Sequence, residues 1–162
     1  MATLIVEDGT IVAGANTFVD VATVLTYATD HGDTTWALST VDAQNAAILN
    51  AMIYLEAKPF KGYPSTSDQS LVWPRGGVSV FGWDISSDKI PSRLISAQCE
   101  LAIKSLSGSL SPDLKRGGGI KRQKVDVIET EYFDGASATT TYQVIDQLLA
   151  PLLKSSTTLV LA

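Results

Sequence analysis

Asp88-Lys89-Ile90-Pro91-Ser92-Arg93-Leu94-Ile95-Ser96-Ala97-Gln98-Cys99-Glu100-Leu101-Ala102-Ile103-Lys104-Ser105-Leu106 is the stretch whose reading decides the fold. Leu94, Ile95, Ala97, Leu101, Ala102 and Leu106 recur at helical spacing and form a broad apolar face. Asp88 is positioned to cap the helix and Pro91 to sit in its first turn, where a missing N–H costs nothing. Glu100 and Lys104 stand four residues apart on the outer side. Cys99 lies among the apolar residues and reads as a core thiol. Gly108 and the serines before Pro112 end the element.

A face this broad needs partners, and the flanking sequence offers three more helices. Asp20 can cap a helix carrying Val21, Val24, Leu25 and Ala28, ended by Gly32, with His31 in the last turn complementing the helix dipole. Ser39 or Thr40 opens a second, with Val41, Ile48, Leu49, Met52 and Leu55 on its stripe, Asp42, Asn45 and Glu56 off it, and Pro59 as its stop. A last helix runs from about Thr141 to Leu153 over Tyr142, Ile145, Leu148, Leu149 and Leu152, weakened near its end by Pro151. Leu4-Ile5-Val6 and Ile11-Val12 around Asp8-Gly9 predict a short strand or hairpin. Val125 to Phe133 alternates as a strand, with Asp134-Gly135 turning the chain. The expected fold is therefore mainly α: one four-helix domain over residues 1–154 with a small β-hairpin or short strands, and an extended C-terminal tail over 155–162.

Between the second and third helices, about residues 59–89, Gly62, Pro64, Pro74, Gly76, Gly77 and Gly82 interrupt five aromatics: Phe60, Tyr63, Trp73, Phe81 and Trp83. A loop of that length inside a compact domain is functional or packed on itself. Packing of these rings onto the core is the favoured reading, and base stacking the competing one, since only Lys58, Lys61 and Arg75 lie nearby.

Composition narrows the function classes. The chain has 162 residues, 45% hydrophobic and 18% charged, with a net charge of −5. The charge is divided: residues 1–57 hold seven acids and no base, residues 58–125 carry +6, and residues 126–162 carry −4. Such a chain is dipolar and as a whole repels polyanions. One cysteine and one histidine leave no disulfide and no Cys/His zinc site, which fits an intracellular protein. The longest apolar run, Leu148 to Leu153, falls short of the roughly 18 to 20 residues a bilayer requires. Met1 to Ala13 has no basic start and fails as a secretory signal.

Catalytic patterns are thin. A nucleophile paired with histidine would depend on His31, there is no Gly-x-Ser-x-Gly elbow, and Gly117-Gly118-Gly119 lacks the Gly-Lys-Ser/Thr ending of a phosphate loop. The expectation is a protein that is not an enzyme and needs no metal or cofactor. The basic loop 115–124 brings Lys115, Arg116, Lys121, Arg122 and Lys124 into ten residues; it suits phosphate or an acidic surface, or serves as a solvated hairpin.

Several motifs resemble one family. They are Ser67-Asp68-Gln69-Ser70-Leu71-Val72-Trp73-Pro74-Arg75, Ile90-Pro91, Ala97-x-Cys99-Glu100-Leu101-Ala102, Lys121-x-x-Lys124-Val125, Leu148-Leu149-Ala150-Pro151-Leu152-Leu153 and the opening Leu4 to Thr10. Their order and spacing are similar to those of tailed-bacteriophage head-tail connector adaptors, proteins also described as DnaT-like single-stranded-DNA-binding proteins. The resemblance implies a structural adaptor in the virion neck, assembled in host cytoplasm as a ring of about twelve copies under the portal. Its partners would be the portal protein, neighbouring copies of itself and the next neck or tail protein, whether stopper, nozzle or tail terminator. Packaged double-stranded DNA would make transient contact, and no membrane is involved.

By the same resemblance, Leu148, Leu149, Leu152, Leu153, Thr157, Leu159, Val160 and Leu161 are the portal-binding candidates. Lys115, Arg116, Lys121, Arg122 and Lys124 are candidates for the channel or a subunit interface, and Asp68, Gln69, Trp73, Pro74 and Arg75 form the family-motif loop. The acidic balance favours this implication over DNA binding. The alternative is a replication module that binds single-stranded DNA through residues 115–124 and the loop aromatics.

Overall fold

The computed structural model describes residues 2–111, 122–125, 128–131 and 142–154. Among the described residues there are four helices: α1 (Val21–Asp30), α2 (Val41–Glu56), α3 (Ser92–Ser105) and α4 (Gln143–Leu149), the last followed by a short 3₁₀ turn, Ala150–Leu152. Short strands fall in three antiparallel pairs: β1 (Tyr63–Pro64) with β2 (Arg75–Gly76), β3 (Val78–Val80) with β4 (Trp83–Ile85), and β5 (Arg122–Val125) with β6 (Ile128–Glu131). The fold is thus four helices with small antiparallel β elements. The tail, 155–162, and the Asp134-Gly135 turn lie outside the described residues.

Helix α3 is the hub, packing against α1, α2 and α4. Leu94, Ala97, Cys99, Leu101 and Ala102 are buried, as its periodicity requires. Burial pushes the Cys99 thiol up to about 12, so it is a packed apolar group at neutral pH. Gln98, also fully buried, is held by its own bonds: its amide oxygen accepts from Phe18 N at 3.0 Å and its nitrogen donates to Thr17 Oγ1 at 2.8 Å. This knot ties α3 to the segment entering α1, and a buried amide without it would be costly.

Several local expectations need correction. Asp88 does not cap α3; Pro91 is the N-cap, without a side-chain bond, while Asp88 bonds Ser86. Asn45 is buried on α2 and donates to Ala2 O, whereas Val41 is exposed. Helix α4 stops at Leu149 because Pro151 has no N–H for the next helical bond. The end of the basic loop and the strand after it share a hairpin, since β5 begins at Arg122 and pairs with β6. Asp20 and Thr40 do cap α1 and α2, and His31 is the C-cap of α1.

The N-terminal segment is not a hairpin either. Val6 bridges Thr17 in parallel, and residues 7–12 curl around the carboxylate of Glu7. The Asp8-Gly9 turn is satisfied by that buried acid rather than by a second strand.

Candidate nucleic-acid interface

The long segment between α2 and α3 divides into a packed half and a projecting half. In the packed half, Trp73 is fully buried and meets Phe60 edge to face at 5.9 Å. Arg75, also buried, donates to three backbone carbonyls: Nε to Lys61 at 2.7 Å, and the two terminal nitrogens to Val72 at 3.1 Å and Gly62 at 2.9 Å. Gln69 accepts from Thr66 N and donates to Leu71 O and Pro74 O. The motif residues Gln69, Trp73, Pro74 and Arg75 therefore build the loop itself, and Asp68 lies exposed at its edge. Buried donors matched to otherwise orphaned carbonyls stabilise a long loop that has little regular structure.

The projecting half is the β3–β4 hairpin. Val78 pairs with Ile85, Ser79 with Asp84 and Val80 with Trp83, joined by the two-residue turn Phe81-Gly82. Both turn residues have positive φ, 54° and 84°, the conformation of a type I′ turn, in which Asn-Gly is the favoured pair. Strand periodicity puts Val78, Val80, Trp83 and Ile85 on one face. At its base Val78 is buried; at its tip Trp83 is 82% exposed. Phe81 is 76% exposed although its backbone is strained and a smaller residue would suit the turn. Burial accounts for neither ring, and the turn conformation disfavours Phe81. The Arg93 guanidinium, on the first turn of α3, lies 5.3 Å from the centre of the Phe81 ring.

Tyr63, 65% exposed, forms a further ring beside the glycine backbone: a Cβ built on Gly76 would lie 2.9 Å from its ring. Charges near the hairpin are balanced, with Lys89 and Arg93 against Asp84 and Asp88. Bonding to Ser86 holds the Asp88 carboxyl below the usual carboxylate range.

The aromatics thus split. Phe60 and Trp73 pack on the core as favoured, while Tyr63, Phe81 and Trp83 do not. The signal available in the sequence was the alternation Val78-x-Val80 and Trp83-x-Ile85 around an x-Gly pair, obscured because Phe replaces the usual Asn.

Other predicted site residues fall elsewhere. Leu149 and Leu152 are fully buried, with Leu148 and Leu153 packed against the core. Leu153 bridges Phe60, Lys61 N donates to Leu152 O at 2.9 Å and Lys154 N donates to Pro59 O at 2.9 Å. This stretch is sealed into the domain. Thr157, Leu159, Val160 and Leu161, like Lys115, Arg116 and Lys121, lie outside the described residues. Arg122 and Lys124 are on β5, where the register sets them opposite Glu131 and Glu129. Among the described residues no group of three or more His, Cys, Asp or Glu is arranged to hold a metal, and no helix is long and apolar enough to cross a membrane.

A family model described as "Putative DnaT-like ssDNA binding protein" matches residues 2–161. No curated protein and no solved structure gives a significant match. The family match overturns the connector expectation, and with it the virion neck, the portal protein, the ring of about twelve copies, the stopper, nozzle or tail-terminator neighbour and the channel contact with double-stranded DNA. Two physical points bear on that correction. The apolar run assigned to a portal is core, and net charge averages over segments of opposite sign, so it does not decide whether one tip can stack bases. With the match covering nearly the whole chain, the protein belongs to the DnaT-like single-stranded-DNA-binding family.

Proposed function

We propose that the protein binds single-stranded DNA by stacking unpaired bases on Phe81 and Trp83, with Arg93 and Lys89 meeting the adjoining phosphates. The observation that carries this reading is the pair of rings, 76% and 82% exposed, on a hairpin whose turn holds Phe81 at a positive φ that a smaller residue would adopt at less cost. Aromatic platforms take any base and require it unpaired, which selects single strands over duplex. The role is binding without a chemical step.

The basic segment is the less favoured contact. In the β5–β6 register Arg122 and Lys124 take positions paired with Glu131 and Glu129, whereas among the described residues the cation at the hairpin aromatics is Arg93 over the Phe81 ring. Salt separates the two surfaces. Two phosphate contacts at the hairpin give a slope of log K against log salt of about −1.4, and five at residues 115–124 give about −3.5.

The test is an anisotropy titration of a labelled oligothymidine of about twenty nucleotides, at several salt concentrations, with the wild type and Trp83→Ala. Losing one stacked base costs about 1–3 kcal/mol, so Trp83→Ala weakens binding by about 5- to 150-fold. A steep slope with Trp83→Ala unaffected assigns binding to the basic segment instead.

A further inference from the structure

We infer that Glu7 is a positioning residue for the aromatic hairpin, an inference that rests on the hairpin being the element that meets DNA. Glu7 is 2% exposed and cannot itself touch a ligand. Its carboxylate accepts three backbone N–H groups: Gly9 at 2.8 Å and Ile11 at 2.9 Å on Oε1, and Val12 at 2.8 Å on Oε2. These bonds hold Ile11 at φ 62°, a conformation that a β-branched residue strongly resists.

What the curled loop touches gives the strain a purpose. Gly9, at φ 110°, presses its backbone on the Asp88 carbonyl; a Cβ there would lie 2.0 Å from Asp88 O and 3.3 Å from Lys89 Cα. Asp88 and Lys89 belong to the short connection from β4, which carries Trp83, to α3, which carries Arg93. Ser65 Oγ ties the same connection by donating to Ser87 O at 2.6 Å. Glu7 shapes the loop, the loop braces the connection, and the connection sets how Trp83 and Arg93 stand relative to one another. An amide at position 7 replaces one acceptor oxygen with a donor facing an N–H, so the loop loses part of its closure.

The experiment compares wild type, Glu7→Gln and Gly9→Ala in full-length protein by time-resolved anisotropy of tryptophan emission. Trp36 and Trp73 are fully buried, so the signal component missing from Trp83→Ala reports the hairpin. The expected result is a faster local motion of Trp83 in both variants with the helical circular-dichroism signal and a cooperative melt retained. Binding to the same oligothymidine then weakens by about fivefold, the cost of reordering roughly one loosened residue. Unchanged Trp83 motion in a folded Glu7→Gln protein overturns the inference. So does loss of cooperative folding in both variants, because Glu7 would then hold the whole fold rather than the hairpin. Absence of oligothymidine binding by the wild type defeats the DNA-binding reading itself, and the Trp83 motion tells that failure apart from failure of the Glu7 link.

Discussion

Replacing Phe81 by Asn keeps the turn and removes the ring, so stability and binding should part. Phe81 sits at φ 54°, where an ordinary side chain pays roughly 1–2 kcal/mol and Asn much less. Against that relief stand two small losses. About a quarter of the ring is covered, worth about 0.5 kcal/mol, and the exposed contact with Arg93 is worth about 0.5 kcal/mol more. The net effect lies between neutral and a gain of about 1 kcal/mol, which for a domain of this size is a rise in Tm of no more than about 4 °C. Oligothymidine binding should meanwhile fall by about 5- to 150-fold, the loss of one stacked base. Differential scanning calorimetry and the anisotropy titration read the two quantities on one sample. A fall in Tm of several degrees with unchanged affinity would mean that the ring is packed and does not meet DNA, and the reasoning from strain would be refuted.

Trp73→Ala should cost about 3–5 kcal/mol in urea unfolding, because the ring is wholly buried against Phe60; an unchanged midpoint would contradict that packing. Arg75→Ala should destabilise by about 3 kcal/mol and Arg75→Lys by nearly as much, since an ammonium does not reproduce the guanidinium's fixed fork to three carbonyls; full rescue by Lys would refute the geometry. Asp20→Ala should cost about 1 kcal/mol at pH 7 by removing the bond to Thr23 N. The Thr23 hydroxyl and, after it, that backbone bond hold the Asp20 carboxyl below its ordinary range, so its stabilisation is complete above about pH 4 and is lost as pH falls through the lowered folded-state value. The gap between wild type and Asp20→Ala should therefore narrow in acid, and a gap independent of pH down to full protonation would contradict the cap.

Helices α1 and α2 were legible because each is written twice, once in its period and once in its cap: Asp20 and Thr40 are where the sequence puts them. Helix α3 shows where that reading stops. Its apolar stripe was evident, but Gln98 looks like a surface residue until Thr17 and Phe18, some eighty positions away in sequence, come to meet its amide. Glu7 is a similar case, an acid in a stretch that reads as a turn and is resolved only by the three N–H groups that converge on it. Local pattern carries no information about such long-range or loop-internal satisfaction of buried polar groups. The candidate interface was half visible. Five aromatics marked the segment, but which rings are buried depends on the Arg75 network, which has no periodic signal, and on the β3–β4 register, whose short alternation is obscured by Phe81 in the turn.

The most direct measurement follows intrinsic tryptophan emission while unlabelled oligothymidine, and then a duplex of equal length, is added to the wild type. Trp83 is the exposed one of three tryptophans, so stacking should quench one component of the emission to saturation with the single strand and leave it unchanged with the duplex. Single-strand binding without any quenching, or equal quenching by the duplex, would contradict the assignment of the hairpin as a platform for unpaired bases.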